Sequence, residues 1–306
     1  MSHKVGIIDC GTNTFNLLIG EPSPEGRLQI LFKNKIPVKL APSATTGMIG
    51  KNRFARGIDA LFVHKNTLRN MGVTRVFAFA TSAIRDSANG AEFVETAKSS
   101  VGIDIKVISG EEEAELIHEG VSHTVPENFG RFVIMDIGGG SVEFIIGTKT
   151  ELIWLQSLKL GVSRLKGQIQ PSDPISREQI EVLQHKILEQ TAEVIAKLKE
   201  FNVKTIIGSS GSFDSIQKIL EAKRGHDENS KENFSELPLA EVQKLHTDLI
   251  PSTLVERIGI KGLIAMRADI IVIALMLVNE VCELGGIESI YHSRYALKEG
   301  AFHNLK

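Results

Sequence analysis

Two glycine-rich stretches with the same spacing, one at the start of the chain and one near its middle, restrict its fold more than any other feature. Each is an apolar run that ends in an aspartate and a glycine turn, followed by a second apolar run. This pattern predicts a β-hairpin whose loop needs the conformational freedom of glycine. Without gaps, the two stretches align Asp9 with Asp136, Gly11 with Gly138 and Gly20 with Gly147. We expect two lobes of related build, with chance similarity between two short hairpins as the alternative.

The loop of the second hairpin has the composition of an anion-binding turn. Gly138, Gly139 and Gly140 carry no side chains that would cover their backbone N–H groups, and such groups can form a cradle for phosphate. Asp136 precedes the loop and Glu143 follows it, so two carboxylates are available to hold the metal ion of a bound phosphate. Taken alone, the stretch is equally compatible with an ordinary tight turn in a sheet.

Length, charge and cysteine content narrow the class of protein. The 306 residues suffice for two domains. The 35 basic and 37 acidic residues, with a net charge of −2, argue against nucleic-acid binding through a broad basic surface. Cys10 and Cys282 form no metal-binding or disulfide pattern, which favours a reducing compartment. The first residues lack a signal-peptide pattern and the apolar run Ile270–Val278 is too short to span a bilayer. We therefore expect a cytoplasmic protein with no membrane partner.

Two further turns follow predicted strands and open helices. Thr81 and Ser82 come after the apolar run Val76–Ala80, with Arg85 one turn into the next helix. Free N–H groups and hydroxyls at a helix start favour anions, and a guanidinium can clamp phosphate oxygens. The alternative is a capping pair with a surface contact between arginine and aspartate. The stretch 208–212, a third glycine turn after a strand, would meet a distal phosphate or a nucleoside.

An acidic helix start precedes the second hairpin. Glu111, Glu112 and Glu113 lie in the first turn of a predicted helix, where carboxylates interact favourably with the helix dipole. That effect explains their presence without any catalytic role. A carboxylate in this place can also orient and deprotonate a water molecule for hydrolysis, and the small Ala114 after Glu113 would allow a close approach.

Hydrophobic periodicity locates the other main elements. It predicts helices at Lys51–Asn70, Ser176–Phe201, Leu239–Leu249, Ile264–Leu284 and Arg294–Leu305. The stretch Gln29–Leu40 reads as a pair of strands, with Lys33, Lys35 and Lys39 as solvated edge residues. The polar stretch Glu221–Glu236 is expected to be an exposed, mobile insertion.

Five of these stretches together resemble one family. They are Asp9–Thr14, Ala80–Arg85, Ile108–Ala114, Asp136–Glu143 and Gly208–Ser212. The set resembles the exopolyphosphatase and guanosine pentaphosphate phosphohydrolase family, which shares a superfamily with acetate kinase, sugar kinases, heat-shock 70 proteins and actin. The resemblance covers essentially the whole chain. Its most specific part is the block Ser109–Ala114 ahead of the triple-glycine loop.

The resemblance implies an α/β fold. The expected architecture is two ribonuclease-H-like (actin-like ATPase) lobes with mixed five-stranded sheets flanked by helices, and an active site in the cleft between the domains. The expected boundaries are residues 1–120 for the first lobe, with a C-terminal helix at 295–306 packing back on it, and 121–294 for the second.

The resemblance also implies roles for individual residues. Glu113 would be the general base, with Glu143 and Arg85 as further catalytic groups, and Asp136, Glu143 and Asp9 would be ligands or organisers of Mg²⁺, with Mn²⁺ as a substitute. The substrate-binding residues would be Gly11, Thr12, Asn13, Thr14, Thr81, Ser82, Gly138, Gly139, Gly140, Ser141, Gly208, Ser209, Gly211 and Ser212. The implied substrates are inorganic polyphosphate, guanosine pentaphosphate or both, and the implied assembly is a homodimer.

Three features depart from the family pattern. Asn16 stands where many relatives carry arginine, and Lys39–Pro42 replaces the usual Arg-Leu-Gly-Glu stretch. The sequence ends at Lys306, so we expect the C-terminal helical domains of longer relatives to be absent. Two other functions stay open at this point: a small-molecule kinase of the same superfamily that uses ATP, and a non-enzymatic nucleotide-sensing scaffold.

Overall fold

The computed structural model describes residues 3–25, 27–225 and 232–305. The chain divides into two compact units. The first contains Met1–Gly120 and Leu297–Lys306, and the second contains Val121–Ala296. Each unit has its own sheet and its own hydrophobic core.

The sheet of the first unit has five strands in the order β3-β2-β1-β4-β5. Their bounds are β1 Val5–Cys10, β2 Thr14–Pro22, β3 Leu28–Pro37, β4 Arg75–Ala80 and β5 Ile105–Val107. The first three strands are antiparallel neighbours, and β4 and β5 run parallel to β1. This mixed sheet is the one predicted for a ribonuclease-H-like lobe.

The sheet of the second unit has six strands in the order β10-β11-β9-β6-β7-β8. Their bounds are β6 Phe132–Ile137, β7 Val142–Gly147, β8 Leu152–Leu158, β9 Thr205–Ser209, β10 Phe234–Leu237 and β11 Ser289–Ser293. Five of them repeat the order and directions of the first sheet, with β6, β7 and β8 antiparallel and β9 and β11 parallel to β6. The fold class is therefore confirmed, and the added antiparallel edge strand β10 makes this sheet larger than expected.

Eleven α-helices lie among the described residues. Their bounds are α1 Lys51–Asn70, α2 Ser82–Arg85, α3 Gly90–Thr96, α4 Gly110–Ser122, α5 Val162–Ile169, α6 Arg177–Glu200, α7 Ser210–Lys223, α8 Leu239–Leu249, α9 Leu254–Ile258, α10 Ile271–Gly285 and α11 Leu297–His303. The predicted start of α6 is confirmed, since Ser176 and Gln179 form a reciprocal capping box. No helix in the described part of the chain is both long and apolar enough to cross a membrane.

Burial explains the most apolar elements. Every residue of β6 and β7 is buried, as is typical of central strands that are covered on both faces. Helix α10 is apolar on nearly all sides because it packs in the core of the second unit. In the first unit, α11 lies against α4 at Gly300, where a Cβ atom would be 1.8 Å from the Leu116 carbonyl oxygen.

Several predicted boundaries were wrong. Gln29–Leu40 is not a strand pair: it contains one strand, β3, along the edge of β2. The helix predicted from Ile264 begins only at Ile271. Residues Ala265–Arg267 form a short 3₁₀ turn, and Ile270, at φ −129°, is not helical, so the α-helix starts after it.

The C-terminal helix is also shorter than predicted. It begins at Leu297 and ends at His303. Its late start has a local cause: the Ser293 hydroxyl accepts a hydrogen bond from the Tyr295 N–H and donates one to the Tyr295 carbonyl oxygen. These bonds hold residues 293–296 in a turn. Of the predicted polar insertion, residues 226–231 lie outside the described residues. Its flanks belong to regular elements, the end of α7 and the start of β10.

Candidate functional site

The first hairpin places Asp9 at the end of β1, opposite Asn16 on β2. The Asn16 side-chain amide donates to Asp9 Oδ2 at 2.8 Å. Burial raises the pKa of the Asp9 carboxyl, and the charges of Lys298 and Lys35 and the Asn16 hydrogen bond oppose this increase. Lys35 is exposed on the edge strand β3, as predicted, and its charge also acts on Asp9.

Lys33 is also exposed on the edge strand, and it forms an ion pair that was not predicted. Its ammonium lies 3.0 Å from a carboxylate oxygen of Glu299, whose side chain is completely buried. Lys298 approaches the other oxygen of the same carboxylate at 3.6 Å. The sequence patterns did not reveal this cluster, because α11 is distant in the sequence from β1 and β3.

The loop of the first hairpin, Gly11–Thr14, is closed by a hydrogen bond from Gly11 N–H to the Thr14 carbonyl oxygen at 3.2 Å. Thr12 and Thr14 are buried. The carbonyl oxygens of Thr12 and Asn13 accept hydrogen bonds from the backbone of residues 38–40. The segment that departs from the family pattern thus supports the loop through its backbone.

A buried carboxylate pairs with a half-buried guanidinium elsewhere in the first unit. Glu113 in the first turn of α4 is 7% exposed. Arg85, at the end of α2, donates to Glu113 Oε2 at 2.9 Å and to the Ile108 carbonyl oxygen at 3.0 Å. The two residues that were predicted separately as base and phosphate clamp are therefore in direct contact, and the guanidinium fixes the orientation of the carboxylate.

Thr81 and Ser82, which precede Arg85 in the sequence, are both buried. Helix α2 has only four residues, and the Thr81 side chain makes no capping hydrogen bond. The Ser82 hydroxyl donates to Asp86 Oδ2 at 3.1 Å. The capping part of the alternative is thus wrong for Thr81, whereas the expected contact between arginine and aspartate is present, with Arg85 Nε 4.0 Å from Asp86 Oδ1.

The second hairpin repeats the geometry of the first. Asp136 on β6 lies directly opposite Glu143 on β7, as Asp9 lies opposite Asn16. Gly138 N–H donates to the Ser141 carbonyl oxygen at 3.1 Å, which matches the bond in the first loop. Asp136 is 5% exposed and Glu143 is 1% exposed, and the Ser157 hydroxyl donates to Glu143 Oε1 at 2.8 Å.

The carbonyl oxygens and the N–H groups of the triple-glycine loop differ in their hydrogen bonding. The carbonyl oxygens of Gly138 and Gly139 accept bonds from the backbone N–H groups of residues 162–164 at the start of α5. The N–H groups of Gly139, Gly140 and Ser141 donate to no backbone acceptor within the described residues. Gly161 allows this packing, because a Cβ atom there would lie 2.4 Å from backbone atoms of Gly139 and Gly140. The loop thus has the donors that an anion cradle requires.

The third loop lies beside Asp136. The hydroxyls of Ser209 and Ser210 both donate to Asp136 Oδ2, at 2.6 and 2.7 Å. Gly208 leaves room for Phe213, whose ring would be 2.0 Å from a Cβ atom at residue 208. Ser212 is buried, and its hydroxyl lies 3.5 Å from the Ile137 carbonyl oxygen.

Arg267 is the functional candidate that the sequence patterns missed. Its side chain packs over Gly211, where a Cβ atom would be 1.7 Å from Nη2. It is 8% exposed, and no acceptor among the described residues takes a hydrogen bond from its guanidinium. Burial lowers the pKa of this guanidinium, and the nearby carboxylates of Asp214 and Asp136 oppose that effect. In the sequence, the only hint of such a contact is Gly211, whose missing side chain leaves room for one from a distant part of the chain.

The candidate metal ligands fit a magnesium ion that also binds water and phosphate, and not a metal whose ligands all come from the protein. The described residues contain no cluster of three or more His, Cys, Asp or Glu side chains that could hold a metal. Mg²⁺ commonly uses one or two carboxylates and completes its shell with water and phosphate oxygens. The pair Asp136 and Glu143 satisfies that requirement. Asp9 lies in the first unit and has an amide, not a second carboxylate, as its cross-strand neighbour.

Comparisons with known proteins identify the family of the chain. The model of the Ppx/GppA phosphatase family matches residues 21–305. The chain is 30% identical over 307 residues to a guanosine-5'-triphosphate,3'-diphosphate pyrophosphatase of Aliivibrio fischeri, with all of this chain and 60% of the relative covered. The chain thus spans about three fifths of the length of that curated relative.

Solved structures show the same fold along the whole chain. The crystal structure of an exopolyphosphatase from Cytophaga hutchinsonii is 34% identical, with a TM-score of 0.94 over 99% of this chain and 97% of the other. An Aquifex aeolicus member of the Ppx/GppA family is 24% identical, with a TM-score of 0.79 over 98% and 96%. With the family model covering nearly all residues, the chain belongs to the Ppx/GppA phosphatase family.

Proposed function

We propose that this protein is a Mg²⁺-dependent phosphohydrolase that removes the terminal phosphate from inorganic polyphosphate, from guanosine pentaphosphate, or from both. The observation that carries the proposal is the position of the Arg267 guanidinium, which packs over Gly211 in the third glycine loop, near the carboxylates of Asp136 and Asp214. A guanidinium beside a glycine-rich loop can form charge-assisted hydrogen bonds with phosphate oxygens. The names of the relatives point to the same two substrates.

Each candidate group has a defined task in this proposal. The N–H groups of the glycine loops and the Arg267 guanidinium bind phosphate oxygens and orient the terminal phosphoryl group. Asp136 and Glu143 would hold Mg²⁺, which when bound neutralises charge on the transferring phosphoryl group. Glu113, held in place by Arg85, takes a proton from the attacking water. The bond between the terminal phosphorus and its bridging oxygen breaks, and the shortened chain leaves with that oxygen.

The test is orthophosphate release in the presence of Mg²⁺ and without any acceptor molecule. Rates on short polyphosphate, long polyphosphate and guanosine pentaphosphate, measured side by side, rank the substrates. Release of orthophosphate from none of them would refute the hydrolase. Formation of ADP from ATP only when a small acceptor is present would instead support the kinase alternative.

A matched pair of variants tests the role of Glu113. Replacing a general base typically lowers kcat by about 10²- to 10⁴-fold, so Glu113→Gln should lose turnover of this order and keep substrate binding. Glu115→Gln makes the same chemical change at an exposed position of the same helix, and should retain wild-type turnover. Equal rates for the two variants would remove Glu113 as the base.

A further inference from the structure

Ser210 has an unusual backbone conformation for its residue type. Its φ angle is +65°, in the left-handed region that side chains other than glycine disfavour. The residue lies at the sharp turn where β9 ends at Ser209 and α7 begins. Strained residues of this kind persist when the surrounding structure holds them, and they concentrate at functional sites.

Helix capping does not explain the serine. Ser209 is the cap residue of α7, and its side chain makes no capping hydrogen bond. A glycine at 210 would adopt the same φ angle without strain, and the same turn already contains Gly208 and Gly211. The serine therefore contributes something that a glycine would not, and its side chain is a single hydroxyl.

That hydroxyl is directed at Asp136. Ser210 Oγ donates to Asp136 Oδ2 at 2.7 Å, and Ser209 Oγ donates to the same oxygen at 2.6 Å. Two donors on one oxygen fix the plane of a buried carboxylate. Ser209 is completely buried, whereas Ser210 is half-buried, so Ser210 is the more solvent-exposed of the two donors.

We propose that Ser210 is a positioning residue for the divalent cation, and that the strained turn is maintained because its hydroxyl holds Asp136 in the orientation that binds the ion. The inference rests on the proposed function, since Asp136 is the candidate metal ligand there. Groups that orient a metal ligand typically change metal affinity by 10- to 100-fold when they are removed.

Two substitutions separate the hydroxyl from the strain. Ser210→Ala removes the hydroxyl and leaves a side chain at positive φ, whereas Ser210→Gly removes both. Binding of Mn²⁺ in the presence of saturating orthophosphate, measured by electron paramagnetic resonance, should weaken about tenfold or more in both variants. The Tm of the metal-free protein should be higher for Ser210→Gly than for Ser210→Ala.

Ser215→Ala is the matched control. The Ser215 hydroxyl is buried on the same helix and donates to the Gly211 carbonyl oxygen at 2.9 Å, not to a carboxylate. This variant should bind Mn²⁺ as the wild type does.

The outcomes distinguish this inference from the proposed function. If the wild type binds Mn²⁺ and Ser210→Gly binds it equally well, Ser210 has no positioning role and the inference fails alone. If the wild type binds no Mn²⁺ and Mg²⁺ does not stimulate orthophosphate release, the metal-dependent function and the inference both fail.

Discussion

Replacement of Gly211 by alanine tests whether Arg267 binds substrate. The added Cβ atom would lie 1.7 Å from Nη2, 2.1 Å from Cζ and 2.7 Å from Nη1 of Arg267. Since nonbonded heavy atoms pack at about 3.5 Å or more, the guanidinium must move by about 1.8 Å. The backbone of α7 needs little change, because Gly211 has no positive φ angle.

A displacement of that size is large for a hydrogen bond. Nitrogen–oxygen distances of about 2.7–3.2 Å are required, so the displaced guanidinium loses at least one charge-assisted bond to phosphate. Such a bond contributes about 1.5–3 kcal/mol, and each 1.4 kcal/mol changes an equilibrium constant about tenfold. The Gly211→Ala variant should therefore raise the KM for polyphosphate or guanosine pentaphosphate by about 10- to 100-fold.

Steady-state hydrolysis with and without the substitution measures this effect. Gly167→Ala on α5 is the control, since a Cβ atom there would meet nothing within 4 Å, and its KM should equal that of the wild type. In an Arg267→Ala background, Gly211→Ala should have little further effect on KM, because the displaced group is already missing. A KM within threefold of wild type for Gly211→Ala alone would refute the assignment of Arg267.

Two further predictions concern stability and the glycine loop. Burial lowers the pKa of His64, whose Nε2 lies 3.2 Å from the Phe15 carbonyl oxygen. The folded state therefore binds fewer protons than the unfolded state. The free energy of unfolding should fall as pH drops through about 6.5. His64→Gln keeps a donor and cannot titrate, so urea midpoints at pH 7.5 and 5.5 should differ less in this variant, and an unchanged difference would contradict the argument. Gly161→Ala would place a Cβ atom 2.4 Å from the backbone of Gly139 and Gly140, and should reduce both Tm and phosphate binding; wild-type values for both would show that the loop tolerates the displacement.

The repeated hairpins could be predicted because their signals are local. An apolar run, an aspartate and a glycine turn lie within a dozen residues of each other, and strand and turn preferences act over that range. The same local reading placed α1 and the start of α6 correctly. It extended α10 too far toward Ile264, since the apolar pattern does not distinguish the 3₁₀ turn at Ala265–Arg267 and the non-helical Ile270 from an α-helix.

What the sequence by itself determined is therefore the pair of related lobes, the three glycine loops and the acidic residues around them. Only the tertiary structure decided which groups meet: Arg85 with Glu113, the Ser209 and Ser210 hydroxyls with Asp136, and Arg267 with Gly211. The physical reason is that sheet order and packing bring these partners together from distant parts of the chain, whereas periodicity and turn propensity report only on neighbours within a few residues.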